Sequence, residues 1–195
     1  MQNTHEIKLL SKEKLSHGWA KLDNVKYEYR NNGQVEIQQR EVYDRGDGAV
    51  ILLYNNSKKT VVLTRQLRIA TWFNGNTSGM MIEACAGMLD KDNPEDCIRK
   101  EVQEETGYTI FKVEKVMENY MSPGSVTEIL YFFTGQYTDD MKIGKGGGAD
   151  NEQENIEVLE IPFEKSLEMI KTGEIKDAKT IILLQYAFIN KLIEL

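Results

Sequence analysis

The sequence PEDCIRKEVQEETGY, residues 94–108, predicts a single helix that is unusually rich in charge. Pro94 suits the first position of a helix and Gly107 suits the position just past its end, so we expect a helix over residues 94–106. A charge-rich helix of this kind is most often a solvated face, and that interpretation has to be weighed first.

Three glutamates of this helix are spaced to lie on one side of it. Glu101 and Glu105 are one turn apart and Glu104 is three residues from Glu101, so all three carboxylates project over one arc. Carboxylates this close repel each other by about a few tenths of a kcal/mol per pair on an exposed helix. A divalent cation would turn that repulsion into binding, because Mg²⁺ prefers oxygen ligands. The spacing therefore predicts a metal site, with a solvated acidic face as the alternative.

The composition is that of an ordinary globular protein with an acidic balance. The 195 residues are 41% hydrophobic and 28% charged, with a net charge of −7. This length allows one large domain or two small ones. The negative balance argues against a general nucleic-acid binder, which presents a basic face. No apolar run reaches the length of a signal peptide or a membrane span, so we expect no membrane partner and a cytoplasmic location. Cys85 and Cys97 have apolar neighbours and are expected to be reduced core thiols rather than a disulfide.

Residues 1–45 alternate in the manner of β-strands, with Asn31-Asn32-Gly33 between two such runs. Asn-Gly between alternating runs is a strong hairpin signal, so we expect a small antiparallel β unit before a main domain that begins at residue 46. A hairpin alone is marginally stable in water, and this unit must therefore pack on something.

From residue 46 onward the pattern predicts a sheet covered by helices. The runs AVILLY (49–54), TVVLTRQ (60–66) and MMIEACA (80–86) are almost continuously apolar, as in strands buried on both faces. Later strands are expected near 113–120, 127–137 and 158–161, and helices over 163–172 and 178–194. This order indicates an α/β fold, an α/β/α sandwich with a mixed sheet.

The motif and its surroundings resemble a known family. Gly87, Asp92 and KEVQEETG (100–107) resemble the Nudix box, in which Lys100 takes the place of the family's arginine and the stretch before it is one residue short. The resemblance implies a hydrolase that splits a diphosphate linked to another group, with Mg²⁺ or Mn²⁺ as cofactor. REVYDRG (40–46) and RQLRIATW (65–72) resemble the sugar-nucleotide branch of the family. GDP-mannose, cleaved to GMP and mannose 1-phosphate, is the expected substrate.

The same resemblance implies roles for individual residues. The metal ligands would be the carbonyl of Ala86 with Glu101, Glu105 and Glu154. Residues expected to contact the substrate are Arg68, Ala86, Gly87, Met88, Glu105, Glu128 and Lys179. The partner subunit of a homodimer with exchanged N-terminal units would supply Gln39, Arg40 and Glu41. Trp19 is the candidate to stack on the guanine, with a core or interface aromatic as the alternative.

Four points stay open in the sequence. The segment GKGGGADNEQENIE (144–157) is either a solvated loop or a lid that delivers a carboxylate to the metals. Glu154 is the expected catalytic carboxylate, with Glu152 and Glu105 as alternatives. ADP-ribose is the alternative substrate. A Nudix-fold sensor that binds a nucleotide sugar without cleaving it is the alternative to an enzyme, although the box glutamates are all present.

Overall fold

The structure is a computed structural model that describes residues 5–89, 91–148 and 155–194. It contains two compact units, residues 1–47 with 120–129 and residues 48–119 with 130–195. The domain division at residue 45 stays a prediction. Among the helices of the described residues, none combines the length and the apolar character that a membrane crossing requires.

The first unit contains an antiparallel sheet of three strands, β1 (His5–His17), β2 (Lys21–Asn31) and β3 (Gln34–Asp44), in that order. Asn32 and Gly33 have φ angles of 48° and 86°, which is the conformation that a tight hairpin turn of Asn-Gly requires. The predicted antiparallel unit is therefore confirmed. The unit also contains β1, a strand that the sequence analysis did not predict and whose side chains are all exposed.

The second unit is built on a mixed sheet of seven strands. These are β4 (Gly48–Asn55), β5 (Thr60–Leu67), β6 (Met80–Glu83), β7 (Cys85–Met88), β8 (Glu114–Tyr120), β9 (Ile129–Gln136) and β10 (Glu157–Pro162). Five strands follow the order β10-β5-β4-β9-β8, while β6 pairs with β5 and β7 pairs with β4. The pair β4 and β9 is parallel, whereas β5, β6, β7 and β10 pair in antiparallel fashion.

The helices of the described residues are α1 (Ile69–Trp72), α2 (Pro94–Glu101), α3 (Phe163–Thr172) and α4 (Ala178–Ile189), with a 3₁₀ turn at Asp139–Met141. Ile51 and Leu53 of β4 pack in one cluster with Ile98 of α2, and α4 also contacts β4. Successive strand side chains point to opposite faces, and β4 is buried along almost all of its length. The predicted α/β fold with helices around a mixed sheet is confirmed.

Two predicted helices differ from the observed ones at their C-terminal ends. The acidic helix is α-helical only to Glu101 and continues as a π-helical segment, Val102–Thr106, which Gly107 ends with a φ of 75°. A side chain at Gly107 would overlap the backbone of the facing loop, so glycine serves both the turn and the close approach. The last helix ends at Ile189 rather than at residue 194.

The apolar run 80–86, predicted as one strand, is divided between two strands at Ala84. The chain pairs with β5 up to Glu83 and with β4 from Cys85 onward. At the break, the backbone N–H of Ala84 donates to Oγ1 of Thr180 at 2.7 Å. A side chain of α4 thus satisfies a buried backbone donor where the strand changes neighbours.

Outside this region, a buried hydroxyl links two strands of the sheet. The Tyr137 side chain is fully buried, and its hydroxyl lies 2.6 Å from Oγ1 of Thr60 and 3.0 Å from Oε1 of Glu160. Lys58 Nζ lies 2.6 Å from the same carboxylate oxygen. Burial, together with the charge of Glu160, raises the pKa of Tyr137 far above its ordinary value, so this hydroxyl remains protonated.

We expect Tyr137→Phe to lower the free energy of unfolding by about 1–2 kcal/mol, because the hydrogen bonds of the hydroxyl with Thr60 and Glu160 are lost while the ring is kept. Urea denaturation followed by circular dichroism measures this difference. Tyr120→Phe makes the same change on an exposed ring and should stay within about 0.5 kcal/mol of the unsubstituted protein. Equal unfolding midpoints for the two variants would contradict this role of the Tyr137 hydroxyl.

Candidate active site

Strand β7 lies so close to helix α2 that there is no room for a side chain at Gly87. A methyl group at this position would overlap the carboxylate of Glu101, which therefore lies directly against the strand. One residue further along, the carbonyl oxygen of Met88 accepts a hydrogen bond from Sγ of Cys97 at 3.2 Å. Three predicted site residues, Ala86, Gly87 and Met88, are thus held beside the first glutamate of the acidic motif.

Glu105 is buried against the same strand. Its side chain is 2% exposed, and the thiol of Cys85, the first residue of β7, hydrogen-bonds to its carboxylate. Burial, then the charge of Glu105 and more weakly that of Glu101, raise the pKa of the Cys85 thiol well above its ordinary value. The thiol therefore remains protonated and can donate. The structure brings Glu101 and Glu105 together around β7, as the prediction of a shared metal site requires.

Glu104 has a different environment from the other two glutamates. Its side chain is 35% exposed, and Nζ of Lys100 lies 3.7 Å from its Oε1. This is the ordinary surroundings of a surface ion pair between residues four apart on a helix. Glu104 is accordingly a useful comparison for the buried Glu105.

The glycine-rich segment after the acidic motif contacts the end of the π-helical segment. The backbone N–H of Gly147 donates to the carbonyl of Glu105 at 2.9 Å, and that of Gly148 donates to the carbonyl of Glu104 at 3.1 Å. These bonds satisfy carbonyls that a helix end leaves without partners and hold the backbone at Glu105. Glu152 and Glu154, predicted in the same segment, lie outside the described residues, and their roles stay predictions.

The expected ligands around β7 are oxygen atoms, which a hard cation prefers. Glu101 and Glu105 supply carboxylates, and the carbonyl of Ala86 is the third expected ligand. Mg²⁺ is usually bound by one or two carboxylates and keeps several waters, so this donor set fits it. No three His, Cys, Asp or Glu side chains gather into a metal site within residues 5–89, 91–148 and 155–194. The remaining expected ligand, Glu154, lies outside those residues.

Two predicted substrate contacts, Arg68 and Lys179, meet at the carboxylate of Glu83, a residue that the sequence analysis missed. Arg68 Nε donates to Oε1 at 2.9 Å and its Nη2 donates to Oε2 at 3.1 Å. Lys179 Nζ donates to the same Oε2 at 2.6 Å.

Glu83 is only 3% exposed, and its partners explain how it can remain charged. Burial alone raises the pKa of the carboxyl, but the hydrogen bonds and charges of Arg68 and Lys179 outweigh burial and hold the pKa below its ordinary value. One signal in the sequence could have found this residue. Glu83 is the single charge within the apolar run 80–86, and a buried charge needs partners.

The first turn of α4 ties Lys179 to the break between β6 and β7. Asp177 Oδ1 accepts a hydrogen bond from Lys179 at 2.8 Å. Its Oδ2 accepts from the backbone N–H of Thr180 at 3.0 Å, as an N-cap does, and from the Thr180 hydroxyl at 2.6 Å. Because Thr180 Oγ1 also accepts from Ala84 N–H, α4 is attached to the strand beside Glu83 through backbone as well as side-chain bonds.

In the first unit, two predicted site residues contact a common arginine. Arg45 donates from Nε and Nη2 to Oε1 of Glu128, at 2.9 and 2.6 Å. Its guanidinium carbon lies 5.9 Å from the centroid of the Trp19 ring, a cation–π distance. Trp19 is 73% exposed, which excludes the alternative of a core aromatic within the chain. The three further residues predicted here are exposed on β3: Gln39, Arg40 and Glu41.

Comparisons with known proteins identify the family of this chain. The NUDIX domain model matches residues 44–183, and the model described as the GDP-mannose pyrophosphatase NudK N-terminal domain matches residues 6–43. A GDP-mannose pyrophosphatase of Shigella dysenteriae serotype 1 (strain Sd197) is 55% identical over 192 residues, which cover 98% of this chain and 100% of that protein. A GDP-mannose pyrophosphatase of Escherichia coli (strain K12) is 56% identical over 184 residues, covering 94% and 95% of the two chains. These matches confirm the predicted resemblance, and the chain belongs to the Nudix family.

Proposed function

We propose that the protein hydrolyses the pyrophosphate bond of GDP-mannose and releases GMP and mannose 1-phosphate. The observation that carries this proposal is the placement of Glu101 and Glu105 beside β7, with the cations Arg68 and Lys179 gathered at the preceding strand. Relatives that match over nearly their whole length are named GDP-mannose pyrophosphatase, which supports this substrate over ADP-ribose.

In the proposed reaction, a water oxygen bonds to one phosphorus atom while the bond from that phosphorus to the bridging oxygen breaks. Mg²⁺, with Mn²⁺ as the alternative, would when bound polarise the pyrophosphate and lower the pKa of a coordinated water. The proposed ligands are Glu101, Glu105, Glu154 and the carbonyl of Ala86.

The chain's own side chains would bind the substrate and handle the proton. Arg68 and Lys179 would compensate the phosphate charge, for which a guanidinium offers paired donors. Glu154 would take the proton of the attacking water or orient that water, with Glu152 and Glu105 as the alternatives. The segment 86–88 would lie along the phosphates, while Trp19 would stack on the guanine and Glu128 would contact the substrate.

We also propose a homodimer in which the N-terminal units exchange, so that Gln39, Arg40 and Glu41 reach the partner's active site. The support is that the three-stranded sheet of the first unit leaves apolar side chains exposed on both of its faces in the single chain, Ile7 and Leu9 on one face and Val35 and Ile37 on the other. Exposed apolar patches commonly mark interaction surfaces. A cytoplasmic location is proposed as well, because both cysteines are buried free thiols, as expected in a reducing compartment.

Product analysis tests the proposed substrate. Incubation with GDP-mannose and Mg²⁺ should yield GMP and mannose 1-phosphate, resolved by anion-exchange chromatography, and EDTA should abolish the reaction because the carboxylate pair needs a cation. ADP-ribose should yield AMP much more slowly. AMP as the dominant product would make ADP-ribose the substrate and leave pyrophosphate hydrolysis as the reaction. Product that forms equally in EDTA would refute the role of the metal.

Glu105→Gln should lower kcat by about a hundredfold or more, because a neutral amide at this buried position weakens both metal binding and proton handling. Glu104→Gln is the matched control, since the half-buried carboxylate of Glu104 pairs with Lys100, and its kcat should change by less than about tenfold. Steady-state kinetics measure both values, and Mn²⁺ titration followed by electron paramagnetic resonance checks that Glu105→Gln loses metal affinity. A loss below tenfold for Glu105→Gln would exclude this assignment.

Subunit mixing tests the proposed exchange. Arg40→Ala and Glu105→Gln should each be nearly inactive as pure proteins. In a statistical mixture of the two, half of the dimers would carry one intact site of two, so we expect about a quarter of the unsubstituted activity to return. No recovery, in a mixture shown by native mass spectrometry to contain heterodimers, would show that each chain completes its own site.

A further inference from the structure

We infer that Glu83 is a positioning residue that holds Arg68 and Lys179 as one paired phosphate-binding unit. This inference rests on the proposed function, since it concerns the contact of these two cations with the phosphates of the substrate. It adds a residue that acts through its neighbours rather than on the substrate itself.

The geometry requires a shared anion between the two cations. Arg68 Nη2 and Lys179 Nζ both donate to the single oxygen Oε2 of Glu83, at 3.1 and 2.6 Å. Two positive groups that share one oxygen repel each other unless a negative charge lies between them. The carboxylate of Glu83 supplies that charge and orients the guanidinium through a second bond, from Nε to Oε1.

The position of Glu83 makes it a rigid reference point for both cations. It is the last residue of β6, it is buried, and its carbonyl accepts a hydrogen bond from Oγ1 of Thr64 on β5 at 3.2 Å. The side chains of Arg68 and Lys179 are long and carry much rotamer entropy, so holding them in one place requires a partner that does not move. The phosphate groups of the substrate would then meet a pair that is already arranged.

The attachment of α4 does not depend on Glu83 alone, and this separates positioning from a purely structural role. Asp177 and Thr180 tie the first turn of α4 to the backbone of Ala84 through their own hydrogen bonds. A variant that neutralises Glu83 therefore keeps this attachment. It loses the charge that holds the two cations together.

Glu83→Gln should raise the KM for GDP-mannose by about tenfold or more, with a smaller effect on kcat, because the two cations lose a common partner and separate. If Glu83 only masked the cations from the substrate, removal of its charge would lower KM instead. The direction of the change thus decides between positioning and masking, and an unchanged or lowered KM overturns the inference.

Binding of GDP by titration calorimetry in EDTA provides a readout that needs neither metal nor turnover. The unsubstituted protein should bind GDP through the cation pair, and Glu83→Gln should bind it about tenfold more weakly. If the unsubstituted protein does not hydrolyse GDP-mannose but Glu83→Gln still binds GDP more weakly, the proposed substrate is refuted and the role of Glu83 is kept. GDP binding that is absent in the unsubstituted protein, or equal in both proteins, would refute the role of Glu83.

Control variants distinguish positioning from stability. Glu160→Gln removes a carboxylate that accepts from Lys58 and Tyr137, outside the candidate site, so it should lower the Tm and leave KM unchanged. Glu83→Asp keeps the charge and should recover part of the GDP affinity, and it also tests the inference if Glu83→Gln folds poorly.

Non-additivity gives the final test. If Glu83 acts through Lys179, Lys179→Met should raise KM much less in the Glu83→Gln background than in the unsubstituted protein. Independent, additive effects of the two substitutions on KM would overturn the inference.

Discussion

The candidate active site depends on the close approach of strand β7 to the acidic helix. Gly87 has no side chain, and the carboxylate of Glu101 occupies the space that one would fill. The contacts from Met88 to Cys97 and from Cys85 to Glu105 belong to the same approach. A strand displaced by the width of a methyl group would lose all three, because packed interiors do not deform gradually.

A single short segment, residues 80–88, organises both signs of charge in the second unit. Glu83 gathers two cations, while the residues that follow Ala84 lie against two carboxylates. A magnesium-bound pyrophosphate presents a cation and an anion together. A site for it therefore needs anionic and cationic side chains held by neighbouring stretches of the chain. The net charge of −7 is compatible with an anionic substrate for this reason, since the local arrangement and not the total charge governs binding.

The extent to which the sequence predicts this structure differs between local and distant features. Pro94, Gly107 and the Asn-Gly turn mark local geometry, and the observed elements begin or end at them. The break at Ala84 could not be predicted, because MMIEACA is apolar on both sides of it and the change of strand partner is decided by residues far away. The partners of Glu83 could not be predicted for the same reason. Its partners lie 15 and 96 residues along the chain, and only the fold brings them together.

The bonds from β6 and Ala84 to α4 also bear on when the site can form. The carboxylate side is built from neighbouring stretches of chain, β7 and the helix that follows it, whereas Glu83 and Lys179 are 96 residues apart. Contacts between distant residues form late, because a long loop must close first. During synthesis on the ribosome, the acidic helix can therefore pack before α4 has emerged. A nascent chain of this protein would hold its carboxylates in place well before it could hold a phosphate.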